Sequence, residues 1–430
     1  MPDFFQIIIL IHKLIISAPS YEGNGIFYIL DSIMIDYVVS LSIKKIFPIL
    51  ALSIFSSMVG IGIIAPLLPV YARDLGATGV WVGVIFAGYA ISRTVILPFV
   101  GKLSDRRGRK IVISVGLFMF TVTSFTYVLA DNVGVLLVIR LLQGVAAGFV
   151  QPISQAYIGD IAPEGEEGKW MGLFNAAFLV GWGCGPLIGG ILNDHFGMDS
   201  AFYVMGGLNA LAFLGVAFFL PEVARKKVET APRSSFRDMA SSRLSWGLFS
   251  FQVGDSAHRG IVQTFIPVFG SIALNLSSSL TGTILSVLVL GAGLIQIITG
   301  RLADRFNKRL VVVIGSIGII ISGLVIPQSA GFWTMLVFLA IAIVGDATAV
   351  PSASALVIEE GRKYGMGLSM AMFNMGLGVG MSVGPILAGL AADLWGTESA
   401  FYYMAALMLV CTLAFVQLTR QPRSLTRLSI

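Results

Sequence analysis

GKLSDRRGRK, Gly101 to Lys110, returns in altered form as GRLADRFNKR, Gly300 to Arg309, and the two copies stand 199 positions apart. The same offset lays GWGCGPLIGG (Gly181 to Gly190) on GMSVGPILAG (Gly380 to Gly389), Phe174-Asn175 on Phe373-Asn374, and AFYVM (Ala201 to Met205) on AFYYM (Ala400 to Met404). Four coincidences at one spacing mean a duplicated half. Solenoid repeats have periods of about 20–50 residues, so the duplication describes two similar bundles in tandem.

Composition sets the solvent of these bundles. Hydrophobic residues make up 56% of the 430 and charged residues 12%, with a mean hydropathy of +0.88. That charge content is about half of the quarter usual in soluble domains, so most of the chain cannot face water. Cutting at charged or turn-rich stretches leaves apolar spans at 46–69, 80–100, 111–130, 134–158, 169–192, 200–220, 244–269, 279–299, 310–328, 332–357, 368–391 and 399–419. Each lies near the ~20 residues that cross a bilayer as a helix. The runs are continuous rather than alternating, which excludes barrel strands. The reading is an all-α membrane protein with twelve transmembrane helices in two pseudo-symmetric six-helix bundles, 46–220 and 244–419. Around them lie an N-terminal cytoplasmic extension (1–45), a linker (221–243) and a tail (420–430).

Basic residues set the orientation. Lys44, Lys45, the cluster Lys102 to Lys110, Lys169, the run Arg225 to Arg243, the cluster Arg301 to Arg309, Arg362 and Lys363 all fall on one side, against Arg73 on the other. The positive-inside rule then places both termini in the cytoplasm, with a multi-pass protein in the plasma membrane. The net charge of +5 is explained by these short loops and calls for no nucleic acid. Phe4 to Ile16 is apolar but too short to span and is broken by His12 and Lys13; residues 1 to 33 are expected to be dispensable or untranslated, with Met34 beginning the lead into the first span. Glu222 to Arg243 reads as a flexible linker. Cys184 and Cys411 sit within spans at no pairing or metal spacing.

At Gly101, Leu103, Asp105, Arg106, Gly108, Arg109 and Lys110 the chain resembles the loop signature of the major facilitator superfamily, and the resemblance extends over all twelve spans. It implies that Asp105 latches onto the start of span 11 near Gly367 and that Arg109 pairs with Asp160. The plainer alternative is that these charges only set topology. Asn307 replaces glycine in the second copy, so a weaker latch is expected there. Gly172, Gly181, Gly185, Pro186, Gly189 and Gly190 resemble the helix 5 motif of the drug/proton antiporter branch. Gly181, Gly185 and Gly189 leave a strip free of side chains, along which another helix can approach closely. The resemblance implies that the strip packs against the other half; the alternative is ordinary small-residue packing.

Span 4 carries Arg140, Gln143, Gln151 and Gln155 within one arc, and span 7 carries Gln252, Asp255, Ser256, Arg259 and Gln263 likewise. The counterpart in span 1 is polar but uncharged: Ser53, Ser56, Ser57. In the resembling family helices 1, 4, 7 and 10 line the cavity, and the arginine of the helix 4 motif, here Arg140, is tied to proton transfer. Charges within a bilayer are costly, which makes Asp255 and Asp346 the candidate proton carriers. Asp255 stands one turn from Arg259, so a purely structural ion pair is its alternative; Asp346 has no basic residue one turn away. Arg93 is expected to snorkel or brace the loop, and His258 to be a packing residue. Phe86, Tyr89, Phe178, Trp182, Phe265 and Phe269 are candidate cavity aromatics.

No phosphate-binding loop, metal-ligand spacing or nucleophile elbow is present, so neither an enzyme nor a cofactor is expected. The expected partners are a small-molecule substrate, protons and the lipid bilayer, with the protein a monomer. The expected function is proton-coupled efflux of small amphipathic or hydrophobic compounds by alternating access. One alternative is a solute:proton symporter for a sugar, carboxylate or siderophore-like compound; another is a non-transporting membrane sensor.

Overall fold

In a computed structural model, residues 25–163, 165–222, 239 and 241–420 are described, and among them there is no strand. Twelve long helices follow one another: α1 Gly25–Asp74, α2 Gly79–Arg107, α3 Arg109–Thr126, α4 Val133–Ile161, α5 Glu167–Phe196, α6 Met198–Phe219, α7 Arg243–Ala273, α8 Ser278–Arg305, α9 Lys308–Val325, α10 Phe332–Tyr364, α11 Met366–Trp395 and α12 Ser399–Thr419. The apolar segment 4–16, the tail from 421 and most of the linker lie outside the described residues. So does the question of whether residues 1 to 33 are dispensable, although helix α1 already runs through Met34.

Eleven of these helices are long and apolar enough to cross a membrane. The exception is α7, which carries Gln252, Asp255, His258, Arg259 and Gln263 along its length. Its polar groups are hidden by protein rather than lipid: from Phe251 to Gly270 nearly every residue is buried. A helix with this polarity is tolerated in a bilayer only when neighbouring helices enclose it.

Each half builds two apolar cores at different depths. In the first half one core gathers Leu50, Val112, Tyr157, Phe174 and Val216 toward the face bearing the basic loops, and the other gathers Ile63, Phe86, Tyr127 and Phe202 toward the opposite face. The second half repeats the division with Phe251, Val312 and Phe415 in one core, and Phe265, Ile326 and Phe401 in the other.

Glycines decide which helices come closest. A Cβ at Gly185 would stand 2.5 Å from the Gly62 Cα, one at Gly189 2.2 Å from the Ile63 carbonyl oxygen, and one at Gly181 2.6 Å from that of Phe55. The strip on α5 therefore meets α1 of its own half, which corrects the expectation that it packs against the other half. Period-four glycines announce a near backbone without saying whose it is. The adjacent face of α5 makes the contact between halves: Gly183 against Leu290, Gly190 against the Ser278 backbone, and the Pro186 carbonyl against Gly282 of α8. The second half mirrors this arrangement, with Gly380 and Gly384 on α7, and Gly389 on Gly79 of α2. The first glycine of the motif, Gly172, has open space around it.

Candidate functional site

Three charged side chains meet in the second half. Arg259 on α7 places its Nη2 2.8 Å from Asp346 Oδ1 on α10 and 3.0 Å from Asp255 Oδ2 one turn earlier on its own helix, and its Nε donates to Asp346 Oδ1 at 3.1 Å. The Asp255 side chain is wholly buried, that of Asp346 is 11% exposed and that of Arg259 is 29% exposed. Gln296 on α8 reaches Asp346 Oδ2 at 3.5 Å. One guanidinium thus serves two carboxylates. With both acids ionised the group carries one excess negative charge in a setting where an uncompensated charge is expensive, and uptake of a single proton removes that excess. The structural ion pair expected as an alternative for Asp255 is present, and Asp346 acquires across the helix interface the basic partner that its own helix does not supply.

Arg259 and Asp346 border a cavity of about 220 Å³ between α5 of the first half and α7, α8 and α10 of the second, while Asp255 is wholly buried and does not line it. Phe178, Leu179 and Trp182 form its wall on α5; His258, Arg259, Gln263, Gln296 and Asp346 form its polar side. His258, expected only to pack, lines this space, with Nδ1 3.2 Å from Met404 Sδ. Of the candidate aromatics, Phe178 and Trp182 face the cavity, while Phe265 and Phe269 are buried in a core.

Arg140 occupies a separate site. It is 3% exposed, donates from Nη1 to Gln143 Oε1 at 2.7 Å, and lies over the rings of Phe86 and Tyr89 at 5.1 and 5.0 Å. The Tyr127 hydroxyl donates to the same Gln143 oxygen at 2.8 Å. No carboxylate pairs with Arg140 among the described residues, so it does not touch the acids it was expected to tune. Ring faces and an amide oxygen hold the charge instead. Arg93 donates to Gln151 at 2.7 Å rather than snorkelling. Gln155 is half-buried on α4. In α1, Ser53 donates to the Leu50 carbonyl and Ser56 is buried. In α7, Gln252 is buried against Gly376 of α11.

The loop motif forms a network on the basic face. Arg109 Nε lies 2.9 Å from Asp160 Oδ2, and its Nη1 lies 3.4 Å from Asp105 and 3.1 Å from the Ser104 hydroxyl. Glu222 accepts the Arg109 backbone N–H at 2.8 Å, beside Gly108, whose φ of +96° suits glycine. Arg106 is exposed and Gly101 has open space around it. The expected seat of Asp105 near Gly367 falls outside the residues whose side chains are described. In the second copy Lys308 pairs with Glu359, the equivalents of Arg109 and Asp160, and Asn307 caps α9 by accepting from the Arg309 N–H at 3.0 Å.

A model of the family described as the Major Facilitator Superfamily matches residues 50–288 and 257–429. The chain belongs to the major facilitator superfamily. An uncharacterized MFS-type transporter of Methanocaldococcus jannaschii is 29% identical over 374 residues, covering 85% of this chain and 96% of the relative. Quinolone resistance protein NorA of Staphylococcus aureus is 28% identical over 397 residues, covering 89% and 98%. Among solved structures, a bacterial homolog of the human lysosomal transporter Spinster matches with TM-score 0.75 at 13% identity over 88% of this chain and 97% of that one. The nucleoside transporter NupG matches with TM-score 0.75 at 15% identity over 87% and 100%. These likenesses establish the superfamily fold: a multi-pass membrane protein and a secondary transporter.

Within the superfamily fold, sequence reasoning missed Gln296, whose single amide on an apolar helix gave no pattern, and the two carboxylates at the far ends of α5 and α11. Asp393 accepts the Gly79 and Val80 N–H groups at 2.5 and 2.9 Å, and Asp194 accepts those of Ser278 and Ser279 at 3.1 and 2.8 Å. The 199 offset that relates Asp194 to Asp393 was available in the sequence; the helix that each would cap was not.

Proposed function

We propose that this protein is a proton-coupled exporter of small amphipathic or hydrophobic compounds, working by alternating access of its two halves around the cavity between α5 and α7, α8 and α10. The observation that carries the reading is the pairing of two carboxylates with one guanidinium, Asp255 and Asp346 with Arg259, of which Arg259 and Asp346 line that cavity. A site with one excess charge gains most from a proton when it is shut away from water and loses it when water returns, which is what coupling to a gradient requires. The apolar wall of Phe178, Leu179 and Trp182 suits a hydrophobic body, and the resemblance to a quinolone resistance protein supports export. The basic face is taken as cytoplasmic by the positive-inside rule.

A second reading, symport of a proton with an organic anion, is favoured by Arg140 and Arg93, which bond to amides rather than to acids. One experiment separates the two. In a host stripped of its own exporters, a panel of amphipathic compounds is followed with and without a protonophore. Export predicts lower cell content that the protonophore restores; symport predicts higher content that the protonophore abolishes. No protonophore-sensitive change for any compound refutes proton coupling.

A further inference from the structure

We propose that Asp194 and Asp393 are a symmetric pair of gate residues that hold the face opposite the basic loops closed by capping, across the boundary between the halves, the N-termini of α8 and α2. The two carboxylates differ by 199 positions, as do Gly79 and Ser278, so the clamps are copies of one device. Each aspartate ends a helix of one half and each receives two backbone N–H groups from the first residues of a helix in the other half. Those N–H groups have no partner within their own helix, and the positive end of the helix dipole favours an anion there.

The neighbouring backbone fits the same purpose. A Cβ at Gly389 would stand 2.1 Å from the Gly79 carbonyl oxygen, and one at Gly190 2.2 Å from that of Ser278, so the helices approach at each clamp as closely as backbones allow. Asn193 adds a bond from Nδ2 to Ser278 Oγ at 2.9 Å. A capping residue normally belongs to the helix it caps. Here the cap comes from the other half, so it acts only while this face is shut and is lost when the halves rock apart. Water then solvates all four N–H groups and both carboxylates, so the gate is reversible. The device serves import as well as export and does not depend on which acid carries the proton.

The test measures the separation of the halves at this face. Asp131 and Ala330, exposed in equivalent loops of the two halves, are replaced by cysteine for spin labels, Cys184 and Cys411 are replaced by alanine, and the protein is placed in lipid nanodiscs. The wild-type pair should show a dominant short distance. Asp194→Ala and Asp393→Ala should each lower the ratio of short- to long-distance populations roughly three- to tenfold, the range for losing an exposed carboxylate cap. The double variant should shift it by the product, and Asp→Asn, which keeps one acceptor but no charge, should fall between. Asp199→Ala, which removes an exposed acid at the same face, should match wild type. Unchanged distances in all the Asp194 and Asp393 variants, or a fall in melting temperature with distances preserved, would overturn the proposal.

Discussion

Replacing Asp346 by Asn converts the triad from two acids and one base into one of each. Arg259 keeps its contact with Asp255 at 3.0 Å, and the new amide oxygen can still accept from the guanidinium, so the loss of stability should be only about 1 kcal/mol, far short of the 3–5 kcal/mol for a buried charge left alone. The effect on coupling should be complete. The wild-type group needs one proton to become neutral; the variant is neutral without it, so the cavity can change sides empty of protons. For one-to-one electroneutral coupling, a step of ~1.5 pH units supports about 30-fold accumulation, since each unit is a factor of ten. The variant should reach a ratio of about one, with exchange of labelled for unlabelled substrate retained. The assay is a proteoliposome preparation with an internal pH dye and a compound identified in the host screen. A variant that concentrates the compound to the wild-type ratio would refute the charge argument. Asp255→Asn should behave the same way, because either acid supplies the excess charge.

The Asp255→Asn, Asp346→Asn double variant leaves Arg259 without an anion and should lose about 3–5 kcal/mol, read as a lower melting temperature or absent protein, where each single variant folds. A double variant as stable as the singles would show that Arg259 needs neither acid. Gly185→Ala should cost about 1–3 kcal/mol because the added carbon would stand 2.5 Å from the Gly62 Cα and α1 and α5 must part; an unchanged melting curve would mean that the helices are not in contact. Arg140→Lys keeps the charge but loses the planar contact with Phe86 and Tyr89, and should slow transport while leaving the proton stoichiometry unaltered. A changed stoichiometry would tie Arg140 to the proton path despite its distance from any described acid.

The fold was legible because it repeats. One offset, a dozen apolar runs and the glycine motifs required only the periodicities of a helix in a bilayer. The Arg109 contact with Asp160 was anticipated by resemblance; of the expected α7 stripe only Arg259 and Gln263 face the cavity, while Gln252 and Ser256 face α11. Partnerships across helices were less visible. Arg259 and Asp346 are 87 positions apart, and no sequence interval encodes a contact between two helices whose rotation is set by packing. The glycine strip failed as a guide for the same reason: small residues mark a close approach, while the identity of the neighbour depends on all twelve helices at once. Eleven helices are apolar enough to cross a membrane by themselves and α7, the helix with the densest chemistry, is not, because burial in protein replaced apolarity as its means of remaining in the membrane.

The duplicated halves no longer carry equivalent chemistry. Both carboxylates and their guanidinium belong to the second copy, whereas the aromatic wall of the cavity, Phe178 and Trp182, is borrowed from the first. Ancestral redundancy has become a division of labour, and it sets where the protein can evolve. Substitutions in the aromatic wall on α5 can change the shape of the cavity without touching the helices that hold the charge. Changes on α7 and α10 would disturb the charged group to which the proposed coupling is assigned. If the protein exports as proposed, variants selected for an altered range of compounds should therefore accumulate substitutions in the first copy.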